Sequence, residues 1–303
     1  MITEKFDLYG DHRVMLYSYR PNWTTVAGVY PSRTGVIVLP GGAYMTHAAS
    51  EGEPVAMAFA AAGCNAWLLR YSIGEHAVFP NATADVCRAL KFIRDHAADF
   101  HQAPEQLAVC GFSAGGHAAA TAATMWNRAD VLEASGCTGE EGKPNALILG
   151  YPCITVDVDG QAGMYTRLCG SRSLAELREI ASAEKWVGPH TPPVFLWNGY
   201  HDRLVAVEHG ILLQQALAAH DVPFEVHTYM NGAHATALNT PVTSLGATVR
   251  ENPHTARWFT DCLLWLEELF GSPSLGVEQE EMQSIAMDRA HFGIPAFRMP
   301  DEA

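Results

Sequence analysis

Short apolar runs alternate with longer amphipathic ones along most of this chain. That alternation constrains the fold more than any other feature, because it is the pattern of repeated βαβ units around a mostly parallel sheet. The runs at 36–39 (VIVL), 66–71, 107–111, 146–150, 194–197 and 224–229 read as strands, the first closed by Pro40, Gly41 and Gly42. Helical spacing fits five stretches: 54–62, stopped by Gly63; 81–100, capped by Asn81 with Val86, Leu90, Ile93 and Ala97 on one face; 114–126; 207–220; and 255–270, whose buried face is expected to hold Leu263, Leu264, Leu266 and Leu269. Residues 1–34 are expected to supply leading strands, one of them at 15–19. No Pro/Gly/Ser-rich linker interrupts the series, so residues 1–271 read as one α/β domain, a mostly parallel central sheet with helices on both faces. The tail, 272–303, carries an amphipathic stretch (Met282, Ile285, Ala286) and then Phe292 and Phe297. Exposed Phe and Ile are unfavourable, so the tail is expected to dock on the body or on a second subunit, which would make a homo-oligomer.

Composition removes several classes of function. With 48% hydrophobic and 17% charged residues over 303 positions, the chain is no disordered segment and has ample material for a core. Nineteen Lys+Arg against 33 Asp+Glu leave a formal charge of −14, which repels nucleic acid and anionic lipid. The 14 histidines equal that charge in number, so solubility is expected to fall as they protonate near about pH 5.5. Seven cysteines, an odd number without a CxxC pair, suggest a reduced compartment. No basic leader precedes an apolar stretch, and no uncharged apolar run reaches about 18 residues, so the chain reads as cytoplasmic and without a membrane segment.

The sharpest local signal is Gly111-Phe-Ser113-Ala-Gly115, a GxSxG pattern that follows an expected strand and opens an expected helix. In such a turn only small residues fit beside the serine, and Ser113 is held at the end of the sheet above a helix N-terminus. A glycine-rich packing turn is the plain alternative. A serine hydroxyl needs a general base, and the base an orienting carboxylate. Asp202 stands just past the run at 194–197 and His234 just past the run at 224–229, where strand-end loops converge on Ser113. His201, beside the acid, is expected to splay away from it, and His117, one turn into the helix, to be a satisfied core residue. Backbone N–H groups at Gly41–Ala43, directly after the first buried strand, and at Ala114 are placed to receive a developing oxyanion.

Together these residues resemble the compact acetyl-esterase/xylan-esterase-like branch of the α/β hydrolases, related to the hormone-sensitive-lipase group. The markers are LPGGAY (39–44), EGEP (51–54), LRYS (69–72), GFSAGGH (111–117), Tyr151-Pro152, TPPVFLW (191–197) and DRLV (202–205), spread over about 36–270. The resemblance implies an α/β-hydrolase fold, Ser113 as nucleophile, Asp202 as acid, His234 as base, and the N–H groups of Gly42, Ala43 and Ala114 as oxyanion donors. The chain departs from the branch at Ala43, where a third glycine is usual, at Ala206 for a proline, and at Ala233 and Ala235 for glycines flanking the histidine. The Ala43 methyl is expected to narrow the acyl side and so to favour acetyl.

The function this implies is a serine carboxylesterase acting on small-molecule, short-chain esters of sugars or xylo-oligosaccharides through an acyl-enzyme, with no metal or organic cofactor. Tyr44, Tyr71 and Tyr151 are the residues expected to line the alcohol side and stack on a sugar. A formamidase or small peptidase using the same triad is the alternative, and a non-catalytic ligand-binding protein on the same fold is a third reading. Because the base must be neutral, activity is expected to fall below about pH 6.

Overall fold

A computed structural model describes residues 1–22, 32–156, 162–244 and 251–271. Eight strands form one sheet: β1 (Ile2–Asp7), β2 (Met15–Arg20), β3 (Arg33–Leu39), β4 (Asn65–Arg70), β5 (Gln102–Phe112), β6 (Ala146–Gly150), β7 (Val194–Gly199) and β8 (Phe224–Tyr229). Their order across the sheet is β1-β2-β4-β3-β5-β6-β7-β8. β1 and β2 pair antiparallel, β2 joins β4 antiparallel, and every pairing from β4 to β8 is parallel.

The helices are α1 (Glu53–Ala61), α2 (Asn81–Asp95), α3 (Ala97–Phe100), α4 (Ser113–Met125), α5 (Ala129–Ser135), α6 (Ala162–Cys169), α7 (Leu174–Ala181), α8 (Glu208–Ala219), α9 (Pro253–Ala256) and α10 (Trp258–Phe270). Alternation along the central strands sends residues to opposite faces. Ile37, Leu39, Val109, Leu147 and Leu196 join one core with residues of α2, α4, α7 and α8, while Val36, Val38, Cys110, Ile148 and Phe195 join a second with residues of α1 and α10. Buried on both faces, these strands read as continuous apolar runs rather than alternating ones, which is why the sequence shows them so clearly.

The expected helix at 81–100 breaks at His96, which ends α2 and precedes the one-turn α3. The closing helix starts later than expected, at Trp258. It buries Trp258, Cys262 and Leu266, four residues apart, whereas Leu264 is 56% exposed. The leucine run at 263–269 thus placed one residue on the wrong side, because the packing stripe is anchored by Trp258 and Cys262. The tail beyond Gly271 lies outside the described residues. Among the described residues no helix is long and apolar enough to cross a membrane, and the seven cysteines are buried thiols without disulfides.

Candidate active site

From β3 the chain steps one way in the sheet to β4 and then back across to β5, so the strand order reverses between β3 and β5. A crevice opens at the carboxyl ends of strands at such a reversal. Gly41 follows β3 and Ser113 follows β5, one on each side of it.

Ser113 sits between strand and helix with φ 52°, a left-handed backbone that costs a non-glycine residue about 1 kcal/mol. Flanking glycines make the turn possible by leaving room. A Cβ on Gly111 would lie 2.4 Å from the Gly115 carbonyl oxygen, and one on Gly115 would lie 2.3 Å from that of Leu39. The GxSxG spacing is thus a packing requirement of this elbow.

Three side chains from three strand-end loops meet there. His234 Nδ1 lies 2.7 Å from Asp202 Oδ2, and His234 Nε2 lies 3.0 Å from Ser113 Oγ. The other oxygen of Asp202 accepts the N–H groups of Leu204 at 2.8 Å and Val205 at 3.0 Å, and its side chain is 1% exposed. A carboxylate can only accept, so the histidine proton belongs on Nδ1 and Nε2 turns its lone pair to the serine hydroxyl. The arrangement can take a proton from Ser113 and hold the resulting imidazolium against Asp202.

The segment after β3 is bent by Gly42 (φ 127°), Ala43 (φ 55°) and Tyr44 (φ 57°). At Gly42 a Cβ would meet the Thr46 carbonyl oxygen at 2.1 Å, so only glycine fits. The Gly41 carbonyl accepts from Ala48 N–H, and that of Gly42 accepts from Met45 and Thr46 N–H. Among the described residues the N–H groups of Gly42 and Ala43 donate to no protein atom. Ala114, in the first turn of α4, has no intrahelical acceptor for its own N–H.

The three tyrosines expected on the alcohol side are placed otherwise, which corrects that expectation. Tyr44, Tyr71 and Tyr151 are 1%, 0% and 1% exposed. Their hydroxyls are engaged: Tyr44 with His117 Nδ1 at 2.7 Å, Tyr71 donating to the Pro40 carbonyl at 2.7 Å, and Tyr151 donating to Glu51 at 2.8 Å. They brace the loops from inside, with no face open to a sugar. His117 is a satisfied core residue, since its Nε2 meets the Ala181 carbonyl at 2.7 Å, and burial lowers it to about 4. His201 is exposed and packs on Tyr200.

Two residues at the site carried no functional reading in the sequence. Cys153 donates its N–H to the Ser113 carbonyl at 3.1 Å and its side chain hydrogen-bonds with Ser113; burial pushes its thiol up to about 12. Glu51, 1% exposed, accepts the Gly41 N–H at 2.6 Å on one oxygen and the Tyr151 hydroxyl on the other. The only trace of Glu51 was its place in the EGEP marker. Among the described residues no group of three or more His, Cys, Asp or Glu could hold a metal ion.

Two antiparallel strands leading a parallel set, with the serine elbow at the end of β5, make this an α/β-hydrolase fold. Solved structures share it: the carboxylesterase Cest-2923 from Lactobacillus plantarum WCFS1 (26% identical, TM-score 0.79, covering 88% of this chain and 98% of that one) and an acetyl ester-xyloside bifunctional hydrolase from Caldicellulosiruptor lactoaceticus (28%, TM-score 0.72, covering 88% and 92%). Within that class, residues 31–217 match the BD-FAE family model, and the chain belongs to this family. The match includes Ser113 and Asp202 and stops before His234. A curated relative, endo-1,4-beta-xylanase B from Butyrivibrio fibrisolvens, is 32% identical over 206 residues, or 67% of this chain. The chain spans 32% and 42% of the length of the curated relatives it matches.

Proposed function

We propose that the protein is a serine esterase that removes short acyl groups, acetyl foremost, from hydroxyls of sugars such as xylo-oligosaccharides. The observation that carries this reading is the continuous hydrogen-bonded chain from Asp202 through His234 to Ser113, set at the strand-order reversal. Ser113 Oγ attacks the ester carbonyl while His234 Nε2 takes its proton. The tetrahedral oxyanion accepts from the N–H groups of Gly42, Ala43 and Ala114. His234 then protonates the departing alcohol, leaving an acyl-serine. Water attacks the acyl carbonyl with His234 again as base, and the acid leaves as Ser113 regains its proton. Asp202 holds His234 Nδ1–H throughout and stabilises each imidazolium.

The acetyl preference is supported by the buried Cys153 side chain, which hydrogen-bonds with Ser113 and takes up room beside the nucleophile, and by an alanine in the donor loop at 43 where the branch usually has glycine. The sugar reading is supported by the xylan- and xyloside-related names of the relatives and by the acidic surface, which suits an uncharged substrate. Ser113→Ala is expected to lower kcat/KM on p-nitrophenyl acetate by about a thousandfold or more; near-normal turnover would overturn the reading. Acetate release from acetylated xylo-oligosaccharides should exceed turnover of formyl-aryl amides and dipeptide amides. Faster cleavage of the amides would move the protein out of the esterases.

A further inference from the structure

The EGEP marker plays no part in the chemistry described so far, yet its first residue is a carboxylate buried beneath the nucleophile. A Cβ placed on Gly41 would be 2.7 Å from Glu51 Oε2 and 2.8 Å from Ser113 Cβ, so the carboxylate, the donor loop and the elbow share one layer. From Glu51 the hydrogen bonds run in two directions. One oxygen accepts Gly41 N–H, adjoining the Gly42 and Ala43 donors. The other accepts the Tyr151 hydroxyl, whose oxygen in turn accepts Ala237 N–H at 2.9 Å. Ala237 belongs to the loop of His234, and its carbonyl is held on the far side by Trp258 Nε1 at 2.8 Å. The Tyr151 ring lies 4.8 Å from that of His234. Both loops carry left-handed non-glycine residues (Ala43 and Tyr44 in one, Ala235, Ala237 and Asn239 in the other), conformations that persist only where surrounding contacts impose them.

We propose that Glu51 is a positioning residue for this site: its carboxylate, through Tyr151, fixes the oxyanion-donor loop against the histidine loop, and its negative charge stabilises the imidazolium formed on His234. The inference rests on the esterase reading above. Burial pushes Glu51 above the usual carboxylate range, while Tyr151, the charge on His234 and Gly41 N–H pull it back. The other titratable groups that feel its charge are Tyr71, Tyr151 and Cys153. Burial raises all three, so they stay neutral at working pH.

The test compares Glu51→Gln with Tyr151→Phe, following both p-nitrophenyl acetate turnover and labelling of Ser113 by a fluorophosphonate across pH. Glu51→Gln removes the charge and turns one amide N–H toward a donor. It is expected to lower kcat and the labelling rate about tenfold or more with KM within about twofold, and to move the acid limb to lower pH by roughly half a pH unit or more. Tyr151→Phe keeps the charge but cuts the link to Ala237, so kcat should fall while the acid limb stays in place. Wild-type kcat and an unmoved acid limb in Glu51→Gln would overturn the proposal, as would a Tyr151→Phe protein with undiminished kcat should Glu51→Gln fail to fold. If Ser113→Ala still labels as the wild type does, the esterase reading itself falls; if it does not label, a null result at Glu51 counts against the positioning role alone.

Discussion

The two ends of the parallel strands differ sharply in what they hold. Of ten described non-glycine residues with positive φ, seven lie in loops at the carboxyl ends: Ala43, Tyr44, Ser113, Tyr151, Ala235, Ala237 and Asn239. His101 and Asp221 occupy connections into the amino ends of β5 and β8, and His12 lies in the turn between β1 and β2. The carboxyl end also buries Glu51, Asp202, His117 and His209, whereas His101 and Asp221 at the amino end are exposed. The amino end buries polar groups of its own, Arg33, Asn65 and Gln102, but the carboxyl end combines buried polar groups with most of the unfavourable backbone in a single arrangement. Strain of that kind survives only if neighbouring contacts over-determine it, which is what a site preorganised for charge development needs.

The largest contrast expected between the ends is chemical. Asp202→Asn leaves the fold's apolar packing intact but can place a donor opposite His234 Nδ1–H, favouring the wrong tautomer. It should lower kcat by about a thousandfold or more with little change in Tm. Asp221→Asn, at the amino end of β8, should leave kcat at the wild-type value. Equal effects in steady-state assays of the two variants would erase the distinction. A smaller loss is expected where backbone shape is attacked. Gly42→Ala drives a Cβ into the Thr46 carbonyl and should cost about a hundredfold in kcat as well as Tm. Gly63→Ala, at the amino end with a positive φ of 98° and room for a Cβ, which would come no nearer than 3.8 Å to Arg33 Nη1, should lower Tm and spare kcat.

Acid separates the two ends again. Burial lowers His47, His117 and His209 from the ordinary 6.5 to about 4, and all three stand at the carboxyl end, in the loop after β3 and the first turns of α4 and α8. The folded state resists protonation that the unfolded chain accepts, so their contribution is complete above pH 6.5 and lost as pH falls from 6.5 through about 4. The buried carboxyls of Glu51 and Asp85, raised by burial, oppose this where they take up protons. Tm measured at steps from pH 8 to pH 4 should fall below about pH 6.5, and His117→Gln, though less stable at pH 8, should show the shallower slope. Parallel curves would remove the histidine from the account. These groups also revise the idea that all 14 histidines neutralise the −14 charge together, since three stay neutral at pH 5.5 while the chain is folded.

The strands were legible because β3, β5, β6 and β7 are buried on both faces and leave unbroken apolar runs; β1, with its first four residues exposed, leaves none. Ser113, Asp202 and His234 could be singled out because each follows a strand, and strand ends are fixed by that burial. Direction was not legible. Tyr44, Tyr71 and Tyr151 follow strands too, but whether a loop tyrosine faces solvent or the core depends on partners distant in sequence: His117 for the first, the Pro40 carbonyl for the second, Glu51 for the third. The same holds for Glu51, whose burial follows from Gly41 and Tyr151 and from nothing in its own neighbourhood of the chain. Helices α5 to α7 span only seven or eight residues each, too few positions for an apolar stripe to stand out in the sequence, even where α7 opens on the Ser173–Glu176 capping box.

The smallest effect expected is the one that isolates strain from chemistry. Ala235 (φ 56°) and Asp221 (φ 55°) hold nearly the same left-handed backbone, one beside His234 and the other at the amino end of β8. Replacing either by glycine relieves about 1 kcal/mol of steric cost and gives back part of it as added freedom of the unfolded chain. Ala235→Gly and Asp221→Gly should therefore each change Tm by no more than a few degrees, and by similar amounts. Only Ala235→Gly loosens the peptide that carries His234, so only it should lower kcat, by a few-fold, without moving KM. If both variants keep wild-type kcat, the left-handed residues around the histidine are incidental to the site. If Asp221→Gly loses activity as well, the strain is shared across the sheet and the two ends are not independent.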